Sequence, residues 1–165
     1  MTSNAISTID LLIYDCDGVL TDNKVIVDEN GRESVSFNRG DGFAIDRIKN
    51  ELKIDQVVIS TEVNSIVLKR CNKLGIKAIN GVGNKTDVVR NYCREKGIDL
   101  KKVMFIGNDL NDKGAMDIVG VRGCPADAEP EIMEISDWVS NKDGGCGVIR
   151  DLYRFILTGK SGNDH

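Results

Sequence analysis

The sequence predicts an α/β fold built on a parallel sheet, from two observations. Apolar runs of strand length recur along the chain, and amphipathic helical patterns lie between them. In chain order, residues 9–14 are a short apolar run ending in Asp15, as expected of a strand buried on both faces. Residues 56–60 and 102–106 repeat that pattern, with weaker runs near 76–79 and 119–122. Helical periodicity covers about 41–52, 62–74, 85–96 and 109–119, and a last helix covers about 148–157. Strand, helix, strand repeated in this way puts helices on both faces of one sheet. One interruption follows the first strand: residues 24–28 and 33–37 flank Glu29-Asn30-Gly31, a hairpin signal with glycine at the turn. Asp143-Gly144-Gly145-Cys146-Gly147 precedes the last helix, and 161–165 reads as a frayed tail. At 165 residues the chain is long enough for one core and too short for two ordinary domains, so residues 1–165 are expected to form a single domain.

Composition narrows the chemistry. The hydrophobic share is 41%, the charged share 29%, and the net charge of −4 is interspersed rather than blocked, which argues against a nucleic-acid groove. No run reaches the ~18 apolar residues of a membrane helix. Five cysteines with no Cys-x-x-Cys pair, and no apolar leader, read as reduced thiols in the cytoplasm. The only histidine is His165 at the last position, so serine–histidine, cysteine–histidine and histidine–zinc chemistries are nearly excluded. Carboxylates, lysine, hydroxyls and a hard metal remain.

Open α/β sheets bind ligands at the carboxyl ends of their strands. The first strand ends in Asp15-Cys16-Asp17-Gly18-Val19-Leu20-Thr21-Asp22. Two carboxylates two residues apart project to one side of an extended chain, and their repulsion is costly unless a cation lies between them. Mg²⁺ suits oxygen ligands and can also hold phosphate oxygens. Ser60 and Thr61 close the second strand with hydroxyls that can reach a phosphoryl oxygen or cap a helix. Lys85 opens a helix after Gly81-Val82-Gly83-Asn84; Asn84 stands where a nucleotide-binding P-loop needs glycine. A lysine at a positive helix N-terminus is unfavourable unless an anion faces it. The third strong strand runs into Gly107-Asn108-Asp109-Leu110-Asn111-Asp112, which crowds acidic and amide groups at a helix start.

Four such signals, in order and each at a strand end or helix start, resemble the haloacid-dehalogenase superfamily of phosphatases over essentially the whole chain. Within it the chain looks like the capless branch of 3-deoxy-manno-octulosonate 8-phosphate phosphatases and the related domains of sialic-acid activating enzymes. Asp15 to Asp22, Arg39-Gly40-Asp41-Gly42, and Gly144-Gly145-Cys146-Gly147 with Arg150 carry that likeness. It implies a three-layer, Rossmann-like domain with the hairpin insertion and no separate cap. It also implies Asp15 as nucleophile, Asp17 as general acid and base, and Ser60 and Lys85 stabilising the phosphoryl group. Mg²⁺ would be held by Asp15, the Asp17 carbonyl and the 107–112 loop, through Asn108 or Asp109, with Asp112 supporting. Asn108 stands where many relatives carry aspartate, and it keeps open the alternative of a weakly active or inactive tetramerisation module. A phospho-accepting receiver fits poorly, because receivers place their acidic pair on a different strand from the accepting aspartate.

The resemblance further implies a homotetramer in which a neighbour's hairpin and residues 144–150 cover the open site. For substrate, a helix over 62–74 would place Arg70 in its apolar stripe with Glu62 and Lys73 at the edge. Arg70 and Lys73 could then face a substrate carboxylate and Glu62 its hydroxyls, or Arg70 could pair with an acid. Thr61-Glu62, in place of the glycine and arginine usual in the octulosonate branch, looks like the nine-carbon side. Arg39, Asp41 and Arg150 complete the expected substrate contacts. The expected substrate is a 2-keto-3-deoxy sugar acid phosphate, nine-carbon before eight-carbon.

Overall fold

The computed structural model describes residues 8–161. Strand β1 (Leu11–Tyr14) sits in the middle of a six-stranded parallel sheet. On one side it pairs with β4 (Asp55–Ile59), and β4 with β5 (Lys77–Ile79); on the other it pairs with β6 (Val103–Ile106), followed by β7 (Val121–Cys124) and β8 (Trp138–Val139). The chain thus leaves β1 in one direction and returns on its far side, which opens a crevice at the carboxyl ends of β1, β4 and β6.

Every side chain of β1 and β6 is buried, because helices cover both faces and the strand period of two sends neighbours to opposite layers. Leu11 and Ile13 join Val57, Ile59, Val89, Phe105, Met116 and Ile132 in one cluster. Leu12 and Tyr14 join Ile45, Ile48, Val58, Met104, Ile106, Leu152 and Ile156 in the other. The helices packed on the sheet are α1 (Arg39–Arg47), which a π-helical turn (Ile48–Leu52) extends, α2 (Ile66–Leu74), α3 (Lys85–Lys96), α4 (Leu110–Met116), α5 (Pro130–Ile135) and α6 (Val148–Ser161). The three-layer architecture without a separate cap is the expected one.

Several boundaries differ from the sequence reading. The helix expected from 62 starts at Ile66, because Glu62 and Asn64 turn their side chains onto the amides that follow them. The strand expected at 119–122 is shifted to Val121–Cys124. Helix α5 and strand β8, too short to show a period, were not expected. The hairpin forms, but its paired strands are only β2 (Ile26–Val27) and β3 (Glu33–Ser34), standing as a separate two-stranded sheet. Of the expected tail, Ser161 ends α6 and 162–165, with His165, lie outside the described residues.

Candidate active site

Asp15 follows β1 directly, and its N–H still donates to the Ile106 carbonyl at 2.9 Å, so the strand's pairing fixes where its side chain starts. The Lys85 ammonium lies 2.7 Å from Asp15 Oδ1 and 2.6 Å from Asp112 Oδ1, with all three side chains buried. This resolves why a lysine opens α3: two carboxylates face it, and the Asn84 side chain caps the helix by accepting from Thr86 and Asp87 N–H. Asp112 is fully buried, and its other oxygen accepts from the N–H of Asn108 at 3.0 Å and of Asp109 at 3.3 Å. One carboxylate therefore ties Lys85 to the loop that follows β6. A Cβ at Gly107 would meet the Asp112 side chain at 2.5 Å, so that turn requires glycine.

Burial, reinforced by the charge of Asp112, pushes the Asp15 carboxyl up to about 7, against Lys85 and the Cys16 N–H, which pull it down. Burial pulls the Lys85 ammonium down, but Asp15 and Asp112 outweigh it and the net shift is upward. Asp17 is raised by burial and then by the charge of Glu62, with the Thr21 hydroxyl acting the other way. Burial, then Asp17 and Asp15, push the Cys16 thiol up; at 1% exposure it is core and not a nucleophile.

Asn108 supplies the test for a cation. One end of its amide stands 3.1 Å from Asp15 Oδ2 and 2.9 Å from the Asp17 carbonyl oxygen. With Nδ2 turned inward the amide donates to both; with Oδ1 inward, three oxygens converge with no proton between them, the donor set a hard cation takes. The residues therefore fit Mg²⁺. Among the described residues no three His, Cys, Asp or Glu side chains gather as a metal site, because this set mixes a carboxylate, an amide and a main-chain carbonyl. Asp109 faces elsewhere: its carboxylate accepts from Leu110 N–H at 2.6 Å and forms a capping box with Asp112 at the start of α4.

Ser60 is buried after β4, and its Oγ accepts from Glu62 N–H at 3.1 Å, which leaves the hydroxyl hydrogen for an incoming oxygen. Thr61 beside it is exposed. A groove of about 240 Å³ opens from Asp17, lined by Asn23, Lys24, Val25, Glu33, Val35, Glu62 and Asn64 among others. The hairpin thus walls its own chain's site, held there by Asn64 Nδ2 donating to Glu33 Oε2 at 3.1 Å. Glu33 and Asn64 in the groove wall and the Thr21 hydroxyl on Asp17 were given no role in the sequence reading, although Thr21 lies in the 15–22 stretch that carries the family likeness.

The other expected substrate residues are placed elsewhere. Arg70 stacks on Phe37, its guanidinium carbon 5.4 Å from the ring centre, and with Asp41 lines a separate small cavity. The acid pairing of the alternative reading is not formed as an ion pair: among the described residues Arg70 Nε and Asp41 Oδ2 are both buried without a hydrogen-bond partner, and only the charge of Arg70 acts on Asp41. Lys73 is exposed in the last turn of α2, at the opposite end of the sheet from the site, since a crossover helix runs back along its strand. Asp41 caps α6, with Oδ1 accepting from Arg150 N–H at 2.9 Å and Ile149 N–H also donating to it. Arg150 lies over Phe43, 4.4 Å from its ring centre, and Arg39 is exposed at the start of α1. Within the chain, residues 144 and 145 back the loop after β1: Gly145 N–H donates to Val19 O at 3.0 Å and Gly144 N–H to Asp127 at 2.8 Å.

A model of the haloacid dehalogenase-like hydrolase family matches residues 4–152. The chain is 33% identical over 148 residues to the 3-deoxy-D-manno-octulosonate 8-phosphate phosphatase of Salmonella typhi, covering 89% of this chain and 78% of that one. The phosphatase of that name from Moraxella catarrhalis, solved with a magnesium ion, a phosphate ion and the sugar acid, superposes with a TM-score of 0.91 at 27% identity, covering 98% of this chain and 93% of that one. The one from Yersinia pestis gives 0.92 at 28%, covering 97% and 86%. The residues at the strand ends, the sheet that presents them and these relatives agree: the chain belongs to the haloacid dehalogenase-like hydrolases, in the branch of the 3-deoxy-D-manno-octulosonate 8-phosphate phosphatases, and is a phosphatase.

Proposed function

We propose that the protein is a Mg²⁺-dependent phosphomonoesterase for a 2-keto-3-deoxy sugar acid phosphate, working through an aspartyl-phosphate on Asp15. The observation that carries this reading is the convergence of Asp15, Lys85, Asp112, Asn108 and the Asp17 carbonyl at one strand-end crevice, beside a groove that Asp17 lines. An oxygen of Asp15 attacks phosphorus in line while the bond to the ester oxygen breaks. Asp17 gives its proton to that leaving oxygen, then takes one from the water whose oxygen attacks phosphorus and frees Asp15. The Ser60 hydroxyl and Lys85 ammonium hold the equatorial oxygens as charge shifts among them. A bound Mg²⁺, held by Asp15, the Asp17 carbonyl and Asn108, supplies charge neutralisation. Burial of these groups excludes competing water.

Glu62, next to Asp17 in the groove, supports the nine-carbon acid as substrate, because Thr61-Glu62 departs from the pattern of the eight-carbon branch. The relatives favour the eight-carbon acid as the second reading. The groove offers amides and carboxylates for hydroxyl groups and Lys24 for a carboxylate. We further propose a homotetramer, because Val25, Ile26 and Val27, in and just before β2, are each more than half exposed. The cytoplasm is the proposed compartment: all five cysteines are free, and among the described residues no helix is long and apolar enough to cross a membrane.

Phosphate release from the eight- and nine-carbon sugar acid phosphates, with Mg²⁺ or EDTA, tests this against an Asp15→Asn control. Turnover that needs the metal and vanishes in the variant is the expected result, and the better substrate decides chain length. No release from either, in a folded tetramer, turns the reading to an assembly module.

A further inference from the structure

The Thr21 side chain is fully buried beside Asp17, and its hydroxyl accepts two hydrogen bonds and donates one. Its Oγ1 accepts from the N–H of Gly18 at 3.3 Å and from the N–H of Asn23 at 3.3 Å. A hydroxyl has two acceptor positions and one hydrogen. Both acceptor positions are filled by main-chain donors that cannot reverse, so the hydrogen is left for the third neighbour, Asp17 Oδ1, at 3.4 Å. The polarity of this small network is therefore set by the backbone. Asn23 keeps its place in it at a φ of 61°, a left-handed conformation that asparagine tolerates better than most residues.

We propose that Thr21 is a positioning residue for phosphoryl transfer: it engages Asp17 Oδ1 as acceptor and so leaves Oδ2 as the oxygen that gives and takes the proton. The inference rests on the phosphomonoesterase reading. In the first step the Asp17 Oδ2–H bond breaks and its proton moves to the ester oxygen, while the bond from that oxygen to phosphorus breaks and the bond from Asp15 forms. In the second, Oδ2 takes a proton from water as the water oxygen bonds phosphorus and the Asp15–phosphorus bond breaks. A carboxyl free to rotate would present its proton at Oδ1 or Oδ2, and only one of these orientations is productive. The three contacts are long for hydrogen bonds, and such contacts at catalytic groups tighten when substrate is bound.

The test separates proton delivery from general damage by varying the leaving group. kcat/KM reports everything up to the first irreversible step, here departure of the leaving group. p-Nitrophenolate leaves without a proton; the alkoxide of a sugar phosphate does not. Thr21→Val is expected to lower kcat/KM for the sugar acid phosphate by roughly 10- to 100-fold, part of what general acid catalysis contributes, with p-nitrophenyl phosphate falling less than about 3-fold. Thr21→Ser, which keeps the hydroxyl, should hold the wild-type ratio of the two substrates. Thermal midpoints show whether each variant is folded, and Thr21→Ala replaces the valine variant if that one is not. Equal losses on both substrates, or a serine variant with the ratio of the valine variant, overturn the assignment while leaving the phosphatase intact. A wild-type protein that hydrolyses neither ester removes both readings together.

Discussion

Position 108 holds an amide against Asp15 Oδ2 and the Asp17 carbonyl, and the two ends of that amide suit two states of the site. Inward Nδ2 satisfies both oxygens without metal; inward Oδ1 joins them around a cation. Asn108→Asp removes the first option and adds charge to the second. Its expected effect is tighter Mg²⁺ binding, on the order of 10-fold by titration calorimetry. In EDTA it should lose roughly 1–3 kcal/mol of stability in urea melts, since two buried acceptors lose their donor. Lys85 behaves differently, being paired in both states. Lys85→Met leaves Asp15 and Asp112 facing each other without a cation, and a loss of about 3–5 kcal/mol in metal-free urea melts is expected, together with loss of phosphatase activity. These residues were legible in the sequence because strand ends and helix starts carry local signals: a carboxylate after an apolar run, a lysine where a helix dipole disfavours it. The direction of a side chain within a loop carries no such signal, which is why Thr21, though part of the 15–22 stretch, was given no role and Asn108 could not be separated from Asp109.

At the scale of elements, the C-terminal helix is joined to α1 by one carboxylate. Burial pushes Asp41 up to about 6, while the Arg150 and Ile149 N–H groups and Arg70 pull it down. A folded-state value above the unfolded ~3.9 means that the native protein binds more protons between the two. Stability from this group is therefore greatest below pH ~4, declines as pH rises toward about 6, and is level above it. Asp41→Asn keeps an acceptor for Arg150 N–H and removes the titration. Its stability relative to wild type should rise between pH 4 and 7, by up to about 3 kcal/mol in denaturant melts at each pH. The slope identifies the cause, whatever the offset. Elements were also where sequence reasoning erred. A helix start misplaced from Ile66 to Glu62 put Glu62 on the same helix as Arg70 and Lys73; the error lay in reading Glu62 as a helical residue when its carboxylate turns onto the main chain that follows it. The hairpin was legible from its turn, but its isolation from the main sheet depends on tertiary packing and was not. Replacing Val25 and Val27 by lysine should shift the proposed tetramer to smaller species in light scattering, with the thermal midpoint of the monomer little changed, since both side chains are already exposed.

For the whole molecule, parallel strands with buried faces made the fold class readable, because continuous apolar runs separated by helices admit few other arrangements. Short elements at the sheet edge, α5 and β8, carry too few residues to show a period. Mg²⁺ binding only the folded site should raise global stability by about 2.7 kcal/mol at one hundred times its dissociation constant, a shift that EDTA reverses and that Asp15→Asn diminishes.

The place of β1 at the sheet's centre also has a consequence in time. Leu11 pairs with residue 55 on one side and residue 103 on the other, so β1, made before both of its neighbours, waits for the later of them to be completed. At about 5–20 residues per second, that interval is on the order of 5–20 s, during which four consecutive apolar side chains have no second neighbour. The nascent chain is a natural client for chaperones that bind short hydrophobic segments. Catalysis is deferred with it: Asp15 exists early, but Lys85 and Asp112 come much later, and the two glycines that back its loop come near the end. A chain stalled before them therefore carries the proposed nucleophile without the surroundings that the proposed chemistry needs.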